Sequence, residues 1–207
     1  MDFQILFYIL VIVLAAYIIG SFPTGYLLVK AIKGIDIRNE GSGSTGATNV
    51  KRILGTWAFF TVMLIDLLKG FLPVFIAKYL EHKFNIFPQI SILPIFVSIG
   101  VIIGHSRSIF LGFTGGKSVA SGVGTILGLY WPVGILTAII WSITTYATKV
   151  VSIGSIVALL LTPVWMFIFH QPFSYIVYCL AGGVYITLYL HRDNIKRLLT
   201  GEENKVR

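Results

Sequence analysis

Long stretches without charge recur through this chain, at 3–29, 84–104, 118–148, 150–169 and 173–190, with a further apolar stretch at 57–77 broken only by Asp66 and Lys69. Nothing else in the sequence limits the fold so strongly. Inside a bilayer no water satisfies backbone N–H and C=O groups, so a crossing segment must bond within itself, and about 20 helical residues cross the roughly 30 Å hydrocarbon core. The chain is therefore expected to be all-α, a polytopic integral membrane helical bundle. Only 12% of its residues are charged, against about 25% in a soluble domain, and its mean hydropathy is +0.87. Its 207 residues make one membrane domain, 1–207, with no large soluble part.

Only Asp2 precedes the first apolar run, which makes that run a poor cleavable signal and a good first span. The run 118–148 exceeds one crossing and carries Tyr130-Trp131-Pro132 in its middle. If it crosses twice, there are seven transmembrane helices. The loops at about 31–55, 105–118 and 147–152 and the tail 191–207 then share one face, with every Lys and Arg except Lys69, Lys78 and Lys83. If it crosses once, the basic tail changes sides. The positive-inside rule favours seven spans, with the N-terminus outside and the C-terminus cytoplasmic.

The net charge of +8 belongs to a chain too apolar for a nucleic-acid binder. It points to the cytoplasmic face, anionic lipids and anionic substrates. The lone Cys179 lies in an apolar run, which excludes an internal disulfide and a thiolate metal cluster. No metal and no cofactor are expected.

The polar residues cluster in the loops. Residues 39–52 read NEGSGSTGATNVKR. Glycines let backbone approach a ligand closely, successive N–H groups form a concave anion site, and hydroxyls and a guanidinium add donors. This predicts a phosphate cradle in which the backbone around Gly43, Gly46 and Ala47, the hydroxyls of Ser42, Ser44, Thr45 and Thr48, and Arg52 meet the anion. A second loop, HSRSIFLGFTGGK, ends in Gly115, Gly116 and Lys117, a turn that presents free N–H groups and a point charge at the start of a helix. His191 and Asn194 share a face if the tail is helical, and Ser152 and Ser155 have the same spacing. Asp66 and Lys69, also three apart, read as a buried structural ion pair, with support of the anion site as the sharper alternative.

Four blocks resemble the bacterial acyl-phosphate:glycerol-3-phosphate acyltransferase family (PlsY). They are GSFPTGY from Gly20 with the Ser42–Arg52 loop, Asp66 with Lys69, Gly70 and Pro73, GGKSVAS from Gly115, and HRDNI from His191 with the later Gly201 and Glu203. Ser44 stands where the family often has Asn, and Ser118 and Ser121 stand in what is usually GGKGVAT; a serine at 118 is expected to narrow that loop. The resemblance implies a seven-helix fold in the bacterial cytoplasmic membrane. It also implies transfer of a fatty acyl group from acyl phosphate, not acyl-CoA, to the 1-hydroxyl of sn-glycerol-3-phosphate, the first step of membrane phospholipid synthesis. Family positions carried over are Ser42, Thr48, Asn49, Arg52, Lys117, Ser155, His191 and Asn194.

The expected assignments follow. His191, Asn194 and Ser155 are catalytic, the two glycine-rich loops bind phosphate, and Asp66, Lys69 and Glu203 are structural. Either His191 or a substrate phosphate, whose second pKa is near about 6, accepts the proton; the phosphate is favoured. Partners are acyl phosphate, sn-glycerol-3-phosphate, membrane lipids and a soluble enzyme that makes acyl phosphate. The rival reading is a transporter for an organic phosphate. It calls for a polar path and usually an internal repeat, whereas only Asp66 and Lys69 lie at depth. A non-catalytic lipid-binding protein is a third reading, against which the density of polar loops on one face argues.

Overall fold

A computed structural model describes residues 3–87 and 91–205. Among the described residues ten α-helices form and no β-strand does: α1 (Phe3–Ser21), α2 (Thr24–Lys33), α3 (Ala47–Leu54), α4 (Thr56–Phe84), α5 (Leu93–Ser106), α6 (Val119–Leu129), α7 (Trp131–Thr148), α8 (Val151–Ile168), α9 (Phe173–Val184) and α10 (Arg192–Leu199). A π-helical stretch, Tyr185–Leu190, extends α9. Four helical stretches are long and apolar enough to cross a membrane: Phe3–Lys33, Thr56–Phe84, Val151–Ile168 and Phe173–Leu190. Two further apolar helices, α5 and α6, are shorter.

Proline and the demands of the backbone set the breaks. Pro23 lacks an N–H and separates α1 from α2. At Tyr130 the backbone turns extended (φ −154°, ψ 102°), and Pro132 falls in the first turn of α7, where its missing N–H costs nothing. The run 118–148 is thus two helices, the reading that the placement of basic residues favoured. The expected end of the second apolar stretch at residue 77 is seven residues early, because Lys78, Glu81 and Lys83 continue α4 to Phe84. The expected third stretch, 84–104, begins late: α5 starts only at Leu93, with Pro94 in its first turn. Pro88, expected inside that stretch, lies outside the described residues.

The expected loop 31–55 contains a helix. In α3, Ala47, Val50, Ile53 and Leu54 recur at helical spacing and pack with Val29, Ile37, Ala58 and Val62 in a small apolar cluster. This stripe folds the second half of the loop onto α2 and α4.

Helix α4 is the spine, packing chiefly on α6 and also on α5 and α3. The α4–α6 contact is close because Gly70 and Gly124 face the partner backbone. A Cβ on Gly70 would come within 2.2 Å of the Ser121 carbonyl, and one on Gly124 within 2.1 Å of the Leu67 carbonyl. Four of the five charged side chains of α4, all but Lys83, meet the end of a broken helix. Lys69 donates to the Phe22 carbonyl beyond α1 (2.8 Å), and Asp66 accepts from Thr24 at the start of α2 (3.1 Å). Lys78 donates to the Leu129 carbonyl at the end of α6 (2.6 Å). Glu81 accepts from the Ile92 and Leu93 N–H groups at the start of α5, both at 2.8 Å. The signs match the helix dipole in every case, acid at N-termini and base at C-termini. Asp66 and Lys69 also pair with each other at 2.7 Å, both buried.

Candidate active site

A cavity of about 500 Å³ opens where α3, α6, α8 and α10 begin. Ser42, Gly46, Ala47, Thr48, Asn49, Arg52, Lys117, Ser155, His191, Asn194, Glu203 and Asp66 all line it, although they come from segments far apart in the chain. Gly43, Gly115, Gly116 and Lys69 do not. One wall is apolar, formed by Phe59, Met63 and Leu67 of α4, Val119, Ala120 and Val123 of α6, and Ala138 and Trp141 of α7.

The first loop is built around Asn49. Its buried amide donates to the carbonyls of Glu40 (2.9 Å) and Ser44 (3.0 Å), and its Oδ1 accepts from the Ser42 N–H (3.1 Å). Asn49 therefore shapes the loop with the groups expected to meet phosphate. Gly46 precedes α3, and no side chain caps that helix. The N-terminus of α3 thus faces the cavity with the partial positive charge and N–H donors that suit an anion. Arg52, one turn further on, is exposed and makes no hydrogen bond or ion pair among the described residues.

The second loop uses its glycines differently from the expected free donors. The Gly116 N–H is bonded to the His105 carbonyl (3.1 Å). A Cβ on Gly115 would lie 2.2 Å from that carbonyl, and one on Gly116 2.2 Å from the His105 ring. The glycines let the turn lie flat against the end of α5; they do not face the cavity. Lys117 does, and its Nζ bonds the Asn194 Oδ1. Burial, with Arg197 and Arg52 nearby, pushes the Lys117 ammonium down to about 8.

The π-helical stretch places His191. Its wide turn offers the Ile186 carbonyl to both the His191 N–H (3.0 Å) and ring Nδ1 (2.9 Å). A carbonyl only accepts, so Nδ1 carries the hydrogen and Nε2 keeps its lone pair. Burial, reinforced by the Lys117 charge, pushes the imidazole down to about 4, so it is neutral at pH 7. Such π turns often occur at functional sites.

Glu203 ties the tail over the site. It accepts from Asn194 (2.6 Å), Ser152 (2.9 Å) and Arg197 (2.7 Å). Burial pushes its carboxyl up, but these three bonds outweigh that and hold it below the ordinary carboxylate range. Ser155 bonds back to the Val151 carbonyl (2.9 Å) and accepts from the Trp141 indole (3.2 Å). Arg197 is one of the polar cavity residues, with Lys51, Ser142, Asn204 and Lys205, that the sequence did not single out. Its signal was present, since it continues the face of His191 and Asn194 by one more step of three.

A family model described as glycerol-3-phosphate acyltransferase matches residues 10–201. The glycerol-3-phosphate acyltransferase of Trichormus variabilis (strain ATCC 29413 / PCC 7937) is 44% identical over 208 residues, covering 94% of this chain and 90% of that protein. That of Gloeobacter violaceus is 42% identical over 192 residues, covering 93% and 92%. Among solved structures, the glycerol 3-phosphate form of PlsY (YgiH), an integral membrane glycerol 3-phosphate acyltransferase, superposes with a TM-score of 0.88 at 34% identity over 97% of this chain and 96% of that one. The lysophosphatidic acid form gives 0.84 at 33% identity over 96% and 95%. Likeness in sequence over nearly the full length, joined to likeness in fold, makes this chain a member of the glycerol-3-phosphate acyltransferase family.

Proposed function

We propose that this multi-pass membrane enzyme transfers a fatty acyl group from acyl phosphate to the 1-hydroxyl of sn-glycerol-3-phosphate, releasing 1-acyl-sn-glycerol-3-phosphate and inorganic phosphate. One observation carries the reading: a single cavity joins cationic Arg52, Lys117 and Arg197 to an apolar wall from α4, α6 and α7. Both substrates bear phosphate and one bears a fatty chain, so chemistry at this boundary needs both surfaces together. The fatty chain lies along Phe59, Met63 and Leu67. One phosphate meets the α3 N-terminus, Ser42, Thr48 and Arg52; the other meets Lys117.

The hydroxyl oxygen attacks the acyl carbonyl carbon, the bond from that carbon to the phosphate oxygen breaks, and phosphate leaves with the electron pair. Phosphate is a good leaving group, so no covalent enzyme intermediate is needed. His191 Nε2 accepts the hydrogen bond of the glycerol hydroxyl and orients it. The proton passes to a phosphate oxygen held near the hydroxyl by the cationic groups. Asn194 and Glu203 hold Lys117 and the tail in place, and Ser155 supports the wall through Trp141.

In this reading the chain crosses the bacterial cytoplasmic membrane seven times, through α1–α2, α4, α5, α6, α7, α8 and α9 with its π extension. The N-terminus is outside and the cavity opens to the cytoplasm, where a soluble enzyme supplies acyl phosphate.

The test is purified protein with palmitoyl phosphate and glycerol 3-phosphate, assayed for released phosphate and acylated product. Stoichiometric formation of both is expected. Uptake of labelled glycerol phosphate into vesicles without acylation would establish the transporter instead.

A further inference from the structure

Ser118 occupies the residue before α6, where a serine ordinarily caps the helix with its own oxygen. Here it does not. Its backbone is left-handed (φ 57°, ψ 18°), no side-chain cap forms, and the residue is fully buried. The left-handed region is unfavourable for any residue with a Cβ, so this geometry is imposed by its surroundings. The Ser118 hydroxyl donates to the Ile102 carbonyl in the last turns of α5 (3.0 Å). On the other flank of Lys117, the Gly116 N–H is bonded to the His105 carbonyl, also in α5 (3.1 Å). The backbone of Lys117 is thus fixed to α5 on both sides, while its side chain spans the cavity to Asn194 of α10.

We propose that Ser118 is a positioning residue, whose hydroxyl fixes the Gly-Gly-Lys turn to α5 so that the Lys117 ammonium is aimed at a substrate phosphate. This rests on the reading of Lys117 as a phosphate-binding group. The hydroxyl hydrogen bond acts on where the ammonium lies, and so on substrate affinity more than on the acyl-transfer step itself.

Two substitutions separate this role from one in stability alone. Ser118→Gly removes the hydrogen bond but relieves the left-handed backbone, and because these effects oppose each other Tm stays near that of the parent. Ser118→Ala removes the same hydrogen bond and keeps the strain, so Tm falls. Both variants are expected to raise KM for glycerol 3-phosphate or for acyl phosphate by roughly fivefold or more, with a smaller change in kcat. Lys117→Met is measured beside them and raises the same KM more strongly. A parental KM for both substrates in Ser118→Gly, with Lys117→Met impaired, overturns the positioning role and leaves the phosphate site standing. Parental kinetics in Lys117→Met overturns the phosphate site itself.

Discussion

Lys117 and His191 are both uncharged more readily than their free counterparts, and for the same reason: burial opposes the charged form. The consequences for pH are opposite in kind. In its proposed role of holding phosphate Lys117 must be protonated, and burial brings the loss of that proton down to about pH 8. Arg52 of α3, Arg197 and Asp193 of α10 and Glu203 of the tail set that value together with burial. The kcat/KM for the substrate whose phosphate it holds should therefore fall by roughly tenfold per pH unit above about 8. Lys117→Arg keeps its charge there, so this alkaline limb should vanish from its profile. His191 already lacks a proton at neutral pH, so no inflection from it is expected between pH 5 and 7. If it orients the hydroxyl while phosphate takes the proton, His191→Gln should retain turnover within about tenfold, where loss of a true base typically costs about 10²–10⁴. A stopped-time phosphate assay at saturating substrate distinguishes the two.

At the scale of helices, the charges of α4 decide more than its apolar stripe. Glu81 is buried and serves two backbone N–H groups of α5 together with the Ser91 hydroxyl. Glu81→Leu leaves those donors unsatisfied and should cost about 2 kcal/mol or more. Glu81→Gln keeps one acceptor oxygen and should cost less. Thermal unfolding of the two variants in detergent compares them. These charges also explain where the sequence was hard to read. Lys78 and Glu81 follow closely on the apolar stretch that ends at residue 77. They did not mark the end of the helix, because both are engaged by other helices. The stripe Ala47, Val50, Ile53, Leu54 was visible in principle, but glycines and hydroxyls before it masked a short helix as loop. Pro132 and the length of the run marked Tyr130 as a place where a break could fall, and the sidedness of the basic residues chose two helices over one. A Gly-Gly pair, by contrast, looks alike in sequence whether it frees N–H groups for a ligand or allows close packing. Only the His105 carbonyl above Gly115 and Gly116 separates the two.

Across the whole molecule, the gathering of residues from 42 to 205 into one cavity was legible as a matter of sidedness, since basic loops on one face must be near one another. Which of them touch was not, because the Lys117–Asn194 and Ser152–Glu203 contacts join residues with no local pattern in common. The sidedness itself can be checked with single cysteines in a Cys179→Ser background. Cysteines at exposed Gly34 and Glu202 should react with an impermeant maleimide only after cell lysis, and one at Lys83 should react in intact spheroplasts. Labelling of Gly34 and Glu202 from opposite sides would refute the proposed topology.

The unequal lengths of α6 and α7 have a bearing on depth. The two helices pack together and share the turn at Tyr130, yet by their rise of 1.5 Å per residue one is about 16 Å long and the other about 27 Å. Lys117, at the near end of the shorter helix, is therefore recessed by roughly 10 Å below the rim that α7 defines. In the proposed reaction, a water-soluble glycerol phosphate descends into this well, while an acyl carbonyl borne among lipids rises only slightly. Reaction at that level would leave the tail of the newly esterified lipid at the depth of its neighbours, never lifted into water.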